Sequence, residues 1–407
     1  MIRKKRMGKG IAKILSGLLV FGMVAGLVPA VPGGTVNAKA TEINGQNATA
    51  EPHTHCVCGT GNLSVERHTH KEETWTGISK LSDINREGNY YLTQDVTLTS
   101  AWTCQRNVNL CLNGHSITRT AKEYYDQNGN NAVIIIKNNV DFTLTDCKGT
   151  GTITHKQGVS GEGVYNDGRF FMYNGIIFGN NGGVKNPGMF FMYGGTITSN
   201  TANNGGGVDN AGTFTMDGGT ITSNTANNGG GVYNDNAGRF IMYGGTITGN
   251  KAEQTYGTEY GGGVYNQGTF NMYGGEITNN TATVGGGGVF NKGTFTMSGG
   301  EITSNSSESY GGGVCYSSSQ LFKMSGTVNI TENKVGTTPN NLYLWNGQQV
   351  SASGLTSGAE IGVTTQIVPI NDSSVPITSD SVSVNCFFSD NSDYETAIDE
   401  NSKVVLK

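Results

Sequence analysis

The chain is poor in proline, with 7 among 407 residues, and poor in charge, with 14% Asp, Glu, Lys and Arg. Its 63 glycines do not recur every third residue, which excludes a collagen-like triple helix. Cysteine is sparse. Seven cysteines, widely scattered, cannot form the disulfide framework of a small secreted domain, so the fold has to come from packing. Their odd number leaves at least one thiol unpaired or shared between chains. Helical periodicity is missing outside the leader, and no later apolar run is long enough to cross a bilayer.

What is present begins with an export signal. Residues 1–40 hold a basic head (Arg3, Lys4, Lys5, Arg6, Lys9, Lys13) and an apolar stretch from Ile14 to Val28. Small residues around Val36, Ala38 and Ala40 then offer cleavage points. The apolar stretch is shorter than the roughly 20 residues of a membrane span, so cleavage is expected rather than anchoring. The leader contains seven of the 26 basic residues and none of the 31 acidic ones, leaving 19 against 31 in the remainder. A mildly acidic surface poor in arginine argues against nucleic acid or an anionic membrane as partner.

The dominant feature is a repeat. Gly-Gly-Gly-Val-Tyr-Asn, then Thr-Phe-Thr-Met-Tyr-Gly-Gly, then Thr-Ile-Thr-Ser-Asn recurs with variation over residues 158–335. The valines stand at Val164, Val184, Val208, Val232, Val264, Val289 and Val314, spaced 20, 24, 24, 32, 25 and 25 residues apart. A period in the twenties denotes a solenoid whose units pack on their neighbours. In the copy at residues 205–228, alternation puts Phe214 and Met216 on one face and Ile221 inward on the next strand. Three short strands separated by glycine bends make one rung of a parallel β-helix. A rung buries four apolar side chains at about 1.5–3 kcal/mol each. Ordering each of its residues costs about 1–2 kcal/mol, so a rung is stable only when stacked. Two asparagine columns, Asn180 to Asn333 and Asn166 to Asn291, read as structural ladders at the bends, with Asn tolerating left-handed backbone.

The resulting fold class is all-β: a right-handed parallel β-helix solenoid with an N-terminal lead-in and a C-terminal β cap. The expected divisions are 1–40 signal peptide, 41–82 His/Cys-containing lead-in, 83–335 β-helix, and 336–407 cap. The Gly-Gly-Gly-Val and Ile-x-x-Asn pairing resembles the repeats of polymorphic outer-membrane adhesins, with Gly for Ala and Ile for Phe. Asn107 to Ile117 resembles the opening rung of pectin-lyase-like right-handed β-helix proteins. Together with Asn341 to Leu344 and Phe387 to Asn391, the pattern is similar to exported Gram-positive surface proteins with β-helix repeats. The resemblance implies fold and export. It leaves function open, since this fold hosts lyases, hydrolases and adhesins.

Four constellations carry potential chemistry. His53, His55, Cys56, Cys58, His68 and His70 gather imidazole and thiol donors suited to a structural zinc ion. Glu276 and Glu301 occupy equivalent positions in successive rungs, at the strand spacing of about 4.8 Å, near the separation of a retaining glycosidase's carboxylates. Tyr173, Tyr193, Tyr243 and Tyr273 form an outward aromatic column, interrupted by Asp217, and the insertion at 251–260 adds Tyr256 and Tyr260 as further contacts for a sugar chain. Cys111 and Cys147 lie on early strands one or two rungs apart, where a disulfide is the alternative to two unpaired thiols. The expectation is a secreted or cell-surface, non-enzymatic adhesin or spacer that binds an extracellular glycan or protein along one face. The alternative is a polysaccharide lyase or glycoside hydrolase using Glu276 and Glu301.

Overall fold

The structure, a computed structural model, describes residues 53–55, 72–121, 131–253, 260–370, 373–382 and 385–407. The chain divides into two units, 1–50 and 51–407, and every described residue lies in the second. The expected leader falls outside the described residues.

Alternating side chains and glycine bends produce the expected coil. Among the described residues, 32 short strands join one sheet system through parallel pairings. Val208–Asn210 pairs with Val184–Asn186 and Val232–Asn234, placing valine beside valine. Thr213–Met216 aligns Phe214 with Phe190 and Phe240. Thr220–Thr222 aligns Ile221 with Ile197 and Ile247. A one-residue slip would turn these side chains outward, so the buried face fixes the register. A fourth strand, Thr225–Asn228, is not foreseen in the sequence. Its threonine and asparagine residues carry no alternating apolar signal. With its counterparts it forms a separate seven-stranded sheet running along the coil.

Val208, Phe214, Met216 and Ile221 are fully buried, as are their equivalents in neighbouring rungs. The core phenylalanines from Phe142 to Phe322 stack ring upon ring, with centroids 4.4–5.9 Å apart. Backbones approach closely at the glycine triplets: a Cβ on Gly207 would lie 2.6 Å from the Gly231 carbonyl oxygen.

Both asparagine columns are hydrogen-bonded ladders. The Asn200 backbone N–H and Nδ2 each donate to Asn224 Oδ1 at 3.0 Å, and Nδ2 also donates to the Ile177 carbonyl at 3.1 Å. The second column links Asn166, Asn186, Asn210, Asn234, Asn266 and Asn291 through Nδ2–Oδ1 bonds of 2.6–2.7 Å. One detail differs from expectation. The left-handed residue of the first column is the one before each asparagine: Ser199, Ser223, Asn279, Ser304 and Glu332 have φ of 55–60°. The asparagine amide is occupied between rungs, and its neighbour turns the corner.

The coil continues past the regular copies. Leu342–Leu344 pairs with Val314–Tyr316, and Glu360–Thr365 pairs with Phe387–Ser389. A three-stranded antiparallel sheet of Val375–Pro376, Val404–Leu406 and Thr396–Ile398 closes the C-terminal end. At the other end Thr76–Ile78 pairs in parallel with Gly88–Leu92, which pairs with Val108–Cys111. Ahead of these, Thr54–His55 pairs antiparallel with Glu73–Thr74.

Candidate functional site

The clearest chemical cluster lies where this small antiparallel pair meets the first rungs. His53, His55, Cys111 and Cys147 place one donor atom each within 4.8 Å of one another. The cysteines come from equivalent corners of successive rungs. Cys111 ends Val108–Cys111 and is the register partner of Thr145, and Cys147 follows two residues later. Both corners are tied to buried Asp146, whose carboxylate accepts from the backbone N–H of Gly114 (2.7 Å), Lys148 (3.2 Å) and Gly151 (2.6 Å). The histidines are held by aromatic stacking. His53 lies on Tyr91 with ring centroids 4.1 Å apart, and His55 on Trp75 at 4.4 Å. Trp75 Nε1 donates to the His55 carbonyl at 3.0 Å, which fixes the strand pair.

Within the cluster Cys147 Sγ stands 3.8 Å from His53 Nε2 and 3.5 Å from Asn113 Oδ1. His55 and Cys111 are buried, while His53 and Cys147 are half-buried. Burial pushes the Cys111 thiol up to about 12; hydrogen bonds from the Cys147 and Asn113 backbones oppose the rise, and the Cys147 side chain adds to it. Burial, with His55 and Lys148 nearby, holds His53 below the ordinary imidazole value and favours its neutral form.

Of the candidate ligands read from the sequence, His53 and His55 fall in this cluster. Cys56, Cys58, His68 and His70 lie outside the described residues. Cys111 and Cys147 carry two thiols and no disulfide. Their grouping with the histidines is invisible in local spacing, because Cys147 and His53 are 94 residues apart.

The tyrosine column stands outward as expected. Tyr173 and Tyr193 stack at 4.8 Å, Tyr243 and Tyr273 at 5.1 Å, and Asp217 separates the two pairs. Phe171 and Phe191 stack beside them at 5.1 Å. Tyr260 is corrected: it is 2% exposed and packs with Ala252, Ala282 and Val284, so it faces the protein rather than a ligand. Tyr256 lies outside the described residues. Glu276 and Glu301 are register neighbours, both exposed on an open wall.

The structure adds a cleft that the sequence does not reveal. Glu162, Lys185 and Asp209 line a polar hollow of about 250 Å³ together with Asn181, Asn203 and Asn204. Lys185 and Asp209 are register partners in adjacent rungs. Burial pushes Asp209 up to about 6; Lys185 opposes the rise, and Asp235 and Glu162 add to it. Burial also raises Glu162, whose Oε2 is buried without a hydrogen-bond partner. Glu162 sits two residues before Val164, where later copies carry glycine, and Lys185 and Asp209 stand where other copies carry tyrosine; these departures from the repeat are the sequence signs of the cleft.

Comparison with protein-family models, curated proteins and solved structures finds no match. Among the described residues no helix is long and apolar enough to cross a membrane.

Proposed function

We propose that this protein is an exported cell-surface β-helix that acts without catalysis, presenting an aromatic wall to an extracellular glycan or protein. The observation that carries this reading is the pair of tyrosine stacks at the bends that follow the strands Arg169–Met172, Met189–Met192, Arg239–Met242 and Thr269–Met272. Core packing does not require them: Tyr243 and Tyr273 are 43% and 47% exposed, and Met189 and Phe178 stand exposed on the same coil. Aromatic side chains on a rigid frame offer large contact area at little entropic cost, with hydroxyls at the rim. Asp217 sets Tyr193 and Tyr243 two rungs apart, about 9.6 Å by strand spacing, and adds an acceptor between them. Flanking threonine columns supply further hydroxyls.

A glycan array with the full chain tests the proposal. Binding without turnover, lost in a Tyr193→Ala/Tyr243→Ala variant of unchanged fold, is the expected result. Absence of binding to glycans and to extracellular matrix proteins contradicts it.

The second reading is a carbohydrate-active enzyme, and one observation favours it: two carboxyls with raised pKa beside a lysine in the Glu162–Asp209 cleft. Such groups suit proton transfer near neutral pH. Cleavage of a polysaccharide that disappears in Asp209→Asn would establish this reading. Cleavage that disappears in Glu276→Gln would instead assign it to the exposed glutamate pair.

A further inference from the structure

We propose that His53, His55, Cys111 and Cys147 bind one zinc ion, which clips the N-terminal strand pair onto the first rungs of the β-helix. Two thiols and two imidazoles are a donor set selective for zinc over calcium or magnesium, and four such donors fill a closed structural site. The geometry is near that of the bound state. Zinc bonds of about 2.3 Å to sulfur and 2.0 Å to nitrogen give a tetrahedron with edges of about 3.3–3.8 Å. The four donor atoms already lie within 4.8 Å, and the Cys147–His53 edge is 3.8 Å. Closing the remainder takes about 1 Å of side-chain movement with the backbone in place. Binding releases the two thiol protons to solvent and changes no oxidation state.

The surrounding groups preorganise the site. Asp146 fixes both cysteine corners, and the stacks on Tyr91 and Trp75 orient both rings. A ligand set shared between two rungs and a separate strand pair ties parts of the chain that local packing joins weakly. The antiparallel pair is only two residues long on each side, Thr54–His55 against Glu73–Thr74. Metal binding there adds directly to folding free energy. The clip therefore fastens the strand pair to the side of the coil where Tyr91, Cys111 and the Cys147 corner follow one another in successive rungs.

The test is metal analysis of the full chain, purified without an affinity tag. About one zinc per chain is expected. Cys147→Ser and His53→Gln should each weaken zinc binding by more than about tenfold. A Cys56→Ser/Cys58→Ser variant should retain it. Because Cys111 is buried, its role is read without mutation: the cobalt-substituted protein should show tetrahedral d–d bands and charge transfer from two thiolates. Loss of zinc in Cys56→Ser/Cys58→Ser with retention in Cys147→Ser overturns the proposal in favour of a site within the lead-in. A disulfide between Cys111 and Cys147 in the purified protein, or no zinc at near-stoichiometric level, overturns it outright.

Discussion

The regular rungs and the N-terminal end are stabilised by opposite means. In the regular rungs each side chain's main partner is its own counterpart one turn away: Phe214 on Phe240, Asn200 on Asn224, Val208 on Val232. At the N-terminal end the partners are unlike groups brought from afar, as with His53 on Tyr91 and Cys147 beside His53. The first design is additive and tolerates extra copies. The second is specific, and each contact has no duplicate. Damage to a ladder should therefore spread to both neighbouring rungs, and damage to the N-terminal cluster should stay local.

The largest effect is expected in a ladder. Asn250→Ala removes the acceptor for the Asn224 N–H and Nδ2, and the donor to the Ile221 carbonyl. Each buried group left unsatisfied costs about 1–3 kcal/mol, so a loss of about 3–6 kcal/mol is expected in denaturant unfolding. Trp75→Ala sharpens the contrast. It should ease opening of the Thr54–His55 pair by about 2–3 kcal/mol. Hydrogen exchange should report that opening near Tyr91 while the rungs around Phe240 keep their protection.

The cleft provides a pH-dependent probe. Asp209 has a folded pKa of about 6 against 3.8 in the ordinary state, so the fold favours its protonated form. Its contribution is therefore fully present below about pH 4 and lost as pH rises through 6. Asp209→Asn should stabilise the protein by about 1–2 kcal/mol at pH 7.5 and have no effect of this origin at pH 3.5. Denaturant midpoints across that range check the sign. The smallest expected effect is at a bend. Ser199 has φ of 55°, and Ser199→Gly should gain about 0.5 kcal/mol by relieving left-handed backbone strain, measured as a slightly higher melting temperature.

The legibility of the fold follows the same division. Where a side chain's partner is its own copy, the period exposes it, and Val208, Phe214, Met216, Ile221 and both asparagine columns are readable from the chain alone. Where partners differ, no period exists. Cys111 and Cys147 sit on recognisable strands, yet nothing local ties them to His53. Glu162 and Asp209 stand in different repeat positions, so only the coil reveals that they share a cleft. Tyr260 was misplaced because an insertion reads as exposed, whereas its ring fills a gap beside Ala252 and Ala282. The strand Thr225–Asn228 was missed because hydrogen bonds between rungs, rather than apolar side chains, define it.

The most direct test is a set of distances along one column. Thr198, Thr222, Thr248, Thr278 and Thr303 are successive register partners. Nitroxide labels attached through a ketone-bearing amino acid at Thr198 and Thr303 span four rungs, and labels at Phe178 and Thr331 span six. Parallel stacking gives narrow pulsed-EPR distributions centred near about 19 and 29 Å, a rise of about 4.8 Å per rung whatever the number of residues in each copy. Broad distributions, or distances that follow residue count instead of rung count, would contradict the stacked coil.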